Sequence, residues 1–167
     1  ALGEEPCADA SWTDQPGVPL AVLTADCLPV VFVNDSETAL AVAHAGWRGL
    51  SAGILENTLR YLGDPKTLRV WLGPAISQRA FEVGEDVLEQ FIGARGESAR
   101  ACFRQGAAPG KYHADLYGLA RQALALAGVT HVTGGDRCTL GEPENFFSYR
   151  REGQTGRMAT VVCLLPR

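Results

Sequence analysis

The sequence has no surplus of positive charge. Fifteen Lys and Arg stand against 19 Asp and Glu, a formal net charge of −4. A nucleic-acid binder normally shows a basic face, so that class is disfavoured, although a local basic pocket is compatible with the balance. No apolar run approaches the roughly 20 residues a membrane-spanning helix needs, and no signal peptide is visible. A membrane partner is therefore not expected. The five cysteines, Cys7, Cys27, Cys102, Cys138 and Cys163, are odd in number and lack paired spacing. They read as reduced thiols in a cytoplasm rather than as a disulfide framework. Internal repeats and low-complexity tracts are absent. What is present is an ordinary globular composition, 46% hydrophobic and 20% charged, in a chain long enough to bury one core. Nothing in the pattern demands a partner chain, so a monomer is the default expectation.

Along the chain, residues 1–17 hold few apolar side chains and read as a surface lead-in. Leu20–Val33 is rich in Val and Leu and reads as one buried strand. Asn34-Asp35-Ser36-Glu37 is a turn cluster, and Thr38–Ala45 is a second strand. Leu50–Leu62 follows as a helix with Ile54, Leu55, Leu59 and Leu62 on one side, stopped by Gly63 and Pro65. Leu68–Leu72 is a strand, Gly84–Ile92 a short helix and Asp115–Ala127 a longer one. Residues 93–110 read as loop, with a lid over a pocket as their one suggested use. Val129–Thr133 is a strand. Phe146–Arg150 and Arg157–Leu165 read as a final strand pair. Hairpins interrupt any βαβ alternation, so the class is α+β rather than a doubly wound parallel sheet.

The first hairpin brings two reactive side chains together. A turn centred between Asp35 and Ser36 sets Val33 opposite Thr38 and, further out, Cys27 opposite His44. Directly opposed residues of an antiparallel pair have Cβ atoms about 4.5–5.5 Å apart on one face. That separation suits two ligands of one metal, and equally a thiolate–imidazolium pair. A lone Cys in an apolar strand is more often a small core residue. Here, however, both residues sit where a strand meets a polar or breaking residue: Asp26 precedes Cys27, and Gly46 follows His44 by two.

These residues carry a resemblance. Thr24-Ala25-Asp26-Cys27-Leu28-Pro29-Val30, followed by His44-Ala45-Gly46-Trp47-Arg48-Gly49, resembles the two central motifs of the YfiH-like, or laccase-domain, family. Asp9-Ala10, Gly73-Pro74-Ala75-Ile76, Phe81-Glu82-Val83-Gly84, Lys111-Tyr112, Asp115-Leu116, Gly135-Asp136-Arg137-Cys138-Thr139, Phe146–Arg151 and Gly156-Arg157 agree with it in order. The resemblance implies a single domain over residues 1–167 with a four-layer α/β/β/α arrangement of mixed sheets. It also implies a zinc site, with copper as a substitute, on Cys27, His44 and a third His from an upstream Gln-Val-His-Gly motif. That motif is absent from these residues, so the domain is expected to lack its N-terminal segment and the Cys27–His44 site to open onto a gap. His113 and His131 fall outside the family motifs and read as structural or surface residues.

The activities the resemblance implies are purine nucleoside phosphorolysis with adenosine deamination, editing of a nucleotide-linked peptidoglycan precursor, and polyphenol oxidation. The partner is in every case a small molecule: a nucleoside plus phosphate, or a nucleotide-sugar peptide. Three histidines are too few for a multicopper oxidase, whose centres are held mostly by imidazoles, so oxidation is disfavoured. Cys27, His44 and Asp26 are the candidate catalytic residues, Asp26 as a ligand-orienting or proton-handling group. Arg48, Arg150, Asp136, Cys138 and Phe147 are candidates for substrate binding, the two arginines as phosphate or carboxylate holders. A metal-free alternative makes Cys27 a nucleophile with His44 as its base.

Overall fold

The computed structural model describes residues 8–166. Its elements begin with β1 (Ala10–Thr13), β2 (Leu20–Thr24), β3 (Leu28–Asn34), β4 (Leu40–Ala45), α1 (Trp47–Ser51) and α2 (Ile54–Leu59). There follow β5 (Leu68–Leu72), β6 (Glu82–Gly84), α3 (Glu85–Arg95), β7 (Phe103–Gln105) and β8 (Lys111–Ala114). The chain closes with α4 (Leu116–Leu126), β9 (His131–Gly134), α5 (Tyr149–Glu152) and β10 (Met158–Val162).

Five strands form a mixed sheet in the order β1-β4-β3-β5-β9, antiparallel except where β5 runs parallel to β9. Alternation along the strands sorts its two faces. Leu28, Val30 and Phe32 of β3, with Ala41, Ala43 and Val70 alongside, join Leu50, Leu55, Leu119 and Ala123 of the helices in one core. Complete burial of the Leu, Val and Phe side chains among these contributes about 1.5–3 kcal/mol each. Against the other face lies the two-stranded ribbon β2–β10. A third sheet, β6-β8-β7, packs beside α3. The α+β class with mixed sheets is as expected. Among the described residues no helix is long and apolar enough to cross a membrane.

Several boundaries differ from the sequence reading, each for a local reason. The lead-in contains β1, which pairs along β4 as an edge strand. The apolar stretch Leu20–Val33 is two strands in two sheets, parted at Asp26, whose φ of 87° is left-handed. The helix after Gly49 is likewise two, because Gly53 enters at φ 87° between them. Residues 93–95 end α3, Glu97–Cys102 is a 3-10 turn and Phe103–Gln105 is β7, with Ala99, Cys102 and Phe103 buried. Those three anchor the segment to the core, and none of residues 93–110 lines the cleft described below. Phe146–Arg150 is not a strand: Ser148 accepts from the Arg151 N–H and opens the helical turn α5. In α4 the pattern held, with Asp115 capping the Gly118 N–H at 2.9 Å, an interaction of about 1 kcal/mol.

Candidate active site

The break between β2 and β3 creates the site. Cys27 lies just before β3, and His44 is the penultimate residue of β4. The observed register sets Pro29, not Cys27, opposite His44, two residues from the expected pairing. The cause is a longer turn: Asn34 Oδ1 accepts from the N–H groups of both Thr38 and Ala39, and Glu37 takes a left-handed φ of 54°. A one-residue slip would have parted Cys27 and His44 onto opposite faces, whereas two keeps them on one. Their side chains approach each other beside Gly46.

Gly46 provides the space for that meeting. A Cβ there would lie 3.0 Å from Cys27 Sγ and 3.6 Å from His44 Nε2, so thiol and imidazole nitrogen converge on the void its missing side chain leaves. Behind His44, Nδ1 lies 3.1 Å from Asp9 Oδ1, and the His44 N–H donates to the Asp9 carbonyl at 2.7 Å. An Nδ1–H held by a carboxylate leaves Nε2 as the outward lone pair, the arrangement that orients metal-ligating histidines. In the metal-free protein hydrogen bonding of the protonated imidazole to the Cys27 sulfur holds His44 up at about 9, against the opposing effect of burial and with added help from Asp9.

The pair lines a cleft of about 450 Å³ that also includes Asp26, Trp47, Arg48, Phe81, Arg150 and Arg157. Asp26 is 8% exposed, and both its oxygens are occupied. Oδ1 accepts from the Thr139 hydroxyl at 2.6 Å, and Oδ2 from the Ser148 hydroxyl at 3.1 Å and the Arg150 N–H at 2.7 Å. That anchors the α5 turn to the Cys27 break. Arg48 lies over the Trp47 ring with 4.3 Å from Cζ to the centroid. Arg150 donates to the Glu82 carbonyl at 2.8 Å and lies 5.3 Å from the Phe81 ring.

The remaining candidates lie elsewhere. Asp136 and Cys138 line a separate cleft of about 500 Å³ with Ser77, Arg79 and Tyr117, so Cys138 does not share the Cys27 pocket. Hydrogen bonds from Ser77 and the Gly141 N–H hold the Cys138 thiol below its ordinary range despite partial burial. Phe147 is 48% exposed and packs on Gly156, outside the cleft. His131 is an exposed residue of β9, and His113 sits in β8. Cys27, Cys102, Cys138 and Cys163 are all free thiols, and Cys7 lies outside the described residues. The sequence reading missed Asp9, Gly46 and Arg157 as working residues. Their motifs were visible, but nothing in one dimension tied them to His44 or to the cleft.

Among the described residues no three His, Cys, Asp or Glu side chains are grouped to hold a metal. Cys27 and His44 are the two donors the cleft offers, and a soft thiolate beside an imidazole is a donor set suited to zinc. Among the described residues one imidazole lines this cleft, too few to hold a multicopper centre.

An α+β fold with a Cys–His pair at a strand break narrows the class, and comparison with known proteins gives the family. The model for the multi-copper polyphenol oxidoreductase laccase family matches residues 2–165, and the chain belongs to that family. It is 53% identical to the purine nucleoside phosphorylase YfiH of Escherichia coli over 159 residues, 95% of this chain and 64% of that protein. A purine nucleoside phosphorylase of Pseudomonas aeruginosa is also 53% identical, over 94% of this chain and 65% of its own. The chain thus spans about 64% of the length of these relatives. Among solved structures, a Neisseria meningitidis protein of family DUF152 superposes with a TM-score of 0.94 at 50% identity, covering 99% of this chain and 68% of that one. YlmD from Geobacillus stearothermophilus superposes at 0.83 with 34% identity, over 96% and 62%.

Proposed function

We propose that the chain carries the reaction centre of a zinc-dependent purine nucleoside phosphorylase that also deaminates adenosine. The observation that supports this most is the convergence of Cys27 Sγ and His44 Nε2 over Gly46, with Asp9 fixing the imidazole from behind. The names of the relatives supply the substrate class. Cys27 and His44 would hold the metal. The third protein ligand that a catalytic zinc normally takes is the histidine of the Gln-Val-His-Gly motif implied by the family resemblance. When bound, zinc supplies Lewis acidity toward an oxygen of the substrate.

The chain's own residues do the rest. The cleft seats the nucleoside beside the pair, and guanidinium groups at its wall hold phosphate for attack on the sugar carbon. As the new C–O bond forms, the bond from sugar to base breaks and the base leaves with its electron pair and takes up a proton. Asp26 acts by fixing the Arg150 turn. Incubation of the zinc-loaded protein with adenosine, with and without phosphate, tests the reading by chromatography. Phosphate-dependent adenine is the phosphorylase product and inosine the deaminase product. Release of neither would overturn it.

One observation favours a second reading. The closeness of Cys27 Sγ to His44 Nε2 at Gly46 also suits a cysteine nucleophile with a histidine base, acting on an amide of a nucleotide-linked sugar peptide. Turnover of such an amide that survives a strong chelator would select it.

A further inference from the structure

We infer that Arg151 is a positioning residue of the reaction centre, acting through α5 to set Tyr149 and Arg150 at the wall of the Cys27 cleft. The inference rests on the reading of that cleft as the place of reaction and names what holds its wall in shape. Tyr149 and Arg150 line the cleft, whereas Arg151 does not. α5 has four residues, and a single helical turn does not sustain itself in water. The stretch before it, residues 135–148, carries neither helix nor strand. The placement of Tyr149 and Arg150 therefore depends on what fixes the turn from outside.

Arg151 does so by gripping that stretch. Its Nη1 donates to the carbonyls of Thr139 at 3.0 Å and Leu140 at 3.2 Å, and its Nη2 to the carbonyl of Phe146 at 2.8 Å. Glu152 Oε1 accepts from Nε at 3.1 Å and from Nη2 at 2.8 Å. All five N–H donors of the guanidinium thus have an acceptor, and none is left for a ligand.

Thr139 gives this grip a fixed point. It is buried, its N–H donates to the Ala75 carbonyl at 3.0 Å, and its hydroxyl donates to Asp26 Oδ1 at 2.6 Å. Asp26 Oδ2 in turn accepts from the Ser148 hydroxyl and the Arg150 N–H. A closed ring of hydrogen bonds results, from Asp26 through Thr139 and Arg151 to α5 and back to Asp26. Among the described residues Arg151 makes no hydrogen bond or ion pair to Cys27, His44 or Asp9. Its effect on the metal pair should therefore be small. A lysine in its place keeps the charge but lacks the planar fork that spans these carbonyls.

Arg151→Lys and Arg151→Gln, each loaded with zinc, are compared with the unaltered protein. Amide hydrogen exchange reads the turn without turnover. Exchange at the Arg150 N–H is expected to quicken about tenfold or more in both variants, while β3 and β4 exchange as before. Zinc affinity is expected to stay the same. In phosphate-dependent adenine release, loss of a group that holds substrate equally in the ground and transition states raises KM and spares kcat. The KM for phosphate is expected to rise about tenfold in Arg151→Gln and less in Arg151→Lys, with kcat kept within about twofold. A merely structural role would lower the active fraction, seen as a fall in kcat at unchanged KM. That result, or unaltered exchange at the Arg150 N–H in Arg151→Lys, would overturn the inference. Absence of adenine release from the unaltered protein would contradict the phosphorylase reading alone, and exchange at the Arg150 N–H would still decide the role of Arg151.

Discussion

His44 Nδ1 lies 3.1 Å from Asp9 Oδ1, and the backbone between the same two residues is closed by a 2.7 Å hydrogen bond. Asp9, the residue just before the edge strand β1, therefore holds His44 at both its ring and its main chain. Removing such an orienting carboxylate typically lowers metal affinity about 10–100-fold. Asp9→Ala is expected to lose zinc affinity in that range in competition with a chromophoric chelator. Asp9→Asn keeps an acceptor oxygen and should lose less.

Gly46 has φ −62°, so alanine fits its backbone without strain and tests space alone. Its Cβ would sit 3.0 Å from Cys27 Sγ, and the convergence point of thiol and imidazole would be filled. Gly46→Ala should weaken zinc binding by on the order of tenfold, about 1.4 kcal/mol, while the melting temperature stays close to that of the unaltered protein. A variant that binds zinc normally would show that the two groups do not act on this space.

Asp26 illustrates how residue type and residue role part company. The sequence marks it as an acid beside a cysteine, and proton handling is the natural expectation. In the fold its oxygens hold Thr139, Ser148 and the Arg150 N–H together. Asp26→Asn replaces one acceptor with a donor that faces groups already donating. The expected cost is about 1–3 kcal/mol of stability for the mismatch, measured by urea unfolding. Activity should fall, but the pH–rate profile should keep the same inflections. Loss of one inflection would restore a proton-carrying role.

The same contrast marks what the sequence could show. Apolar runs and caps located β5 and α4 because these depend on local period and one capping side chain. The division of Leu20–Val33 depends on a left-handed φ at Asp26, which hydropathy does not register. The hairpin register depends on Asn34 Oδ1 bridging two N–H groups, and the Cys27–His44 meeting held because the slip was even. Cys138 and Asp136 stand in a family motif, yet they face another cleft. One-dimensional motifs do not say which side of a loop a residue serves.

Tyr117 lines the cleft of Asp136 and Cys138 and ties together the two loops beside it. Its hydroxyl accepts from the Ala75 N–H at 2.7 Å and donates toward the Arg137 carbonyl at 2.9 Å. Tyr117→Phe leaves the buried Ala75 N–H without an acceptor and is expected to cost about 1–3 kcal/mol. Burial pushes the phenol up to about 12 from its ordinary 10. The folded state therefore favours the protonated phenol. That contribution to stability is full below pH 10 and is lost as pH rises from 10 through 12. Alkaline unfolding in this window should be less steep in the Phe variant.

The most direct test strips the protein of metal with a chelator, adds back zinc in steps, and follows bound zinc and phosphate-dependent adenine release together. If Cys27 and His44 form the metal centre, the two should rise in parallel, and Cys27→Ala and His44→Ala should abolish both. Full adenine release from the metal-free protein, or unchanged zinc binding and turnover in Cys27→Ala, would contradict it.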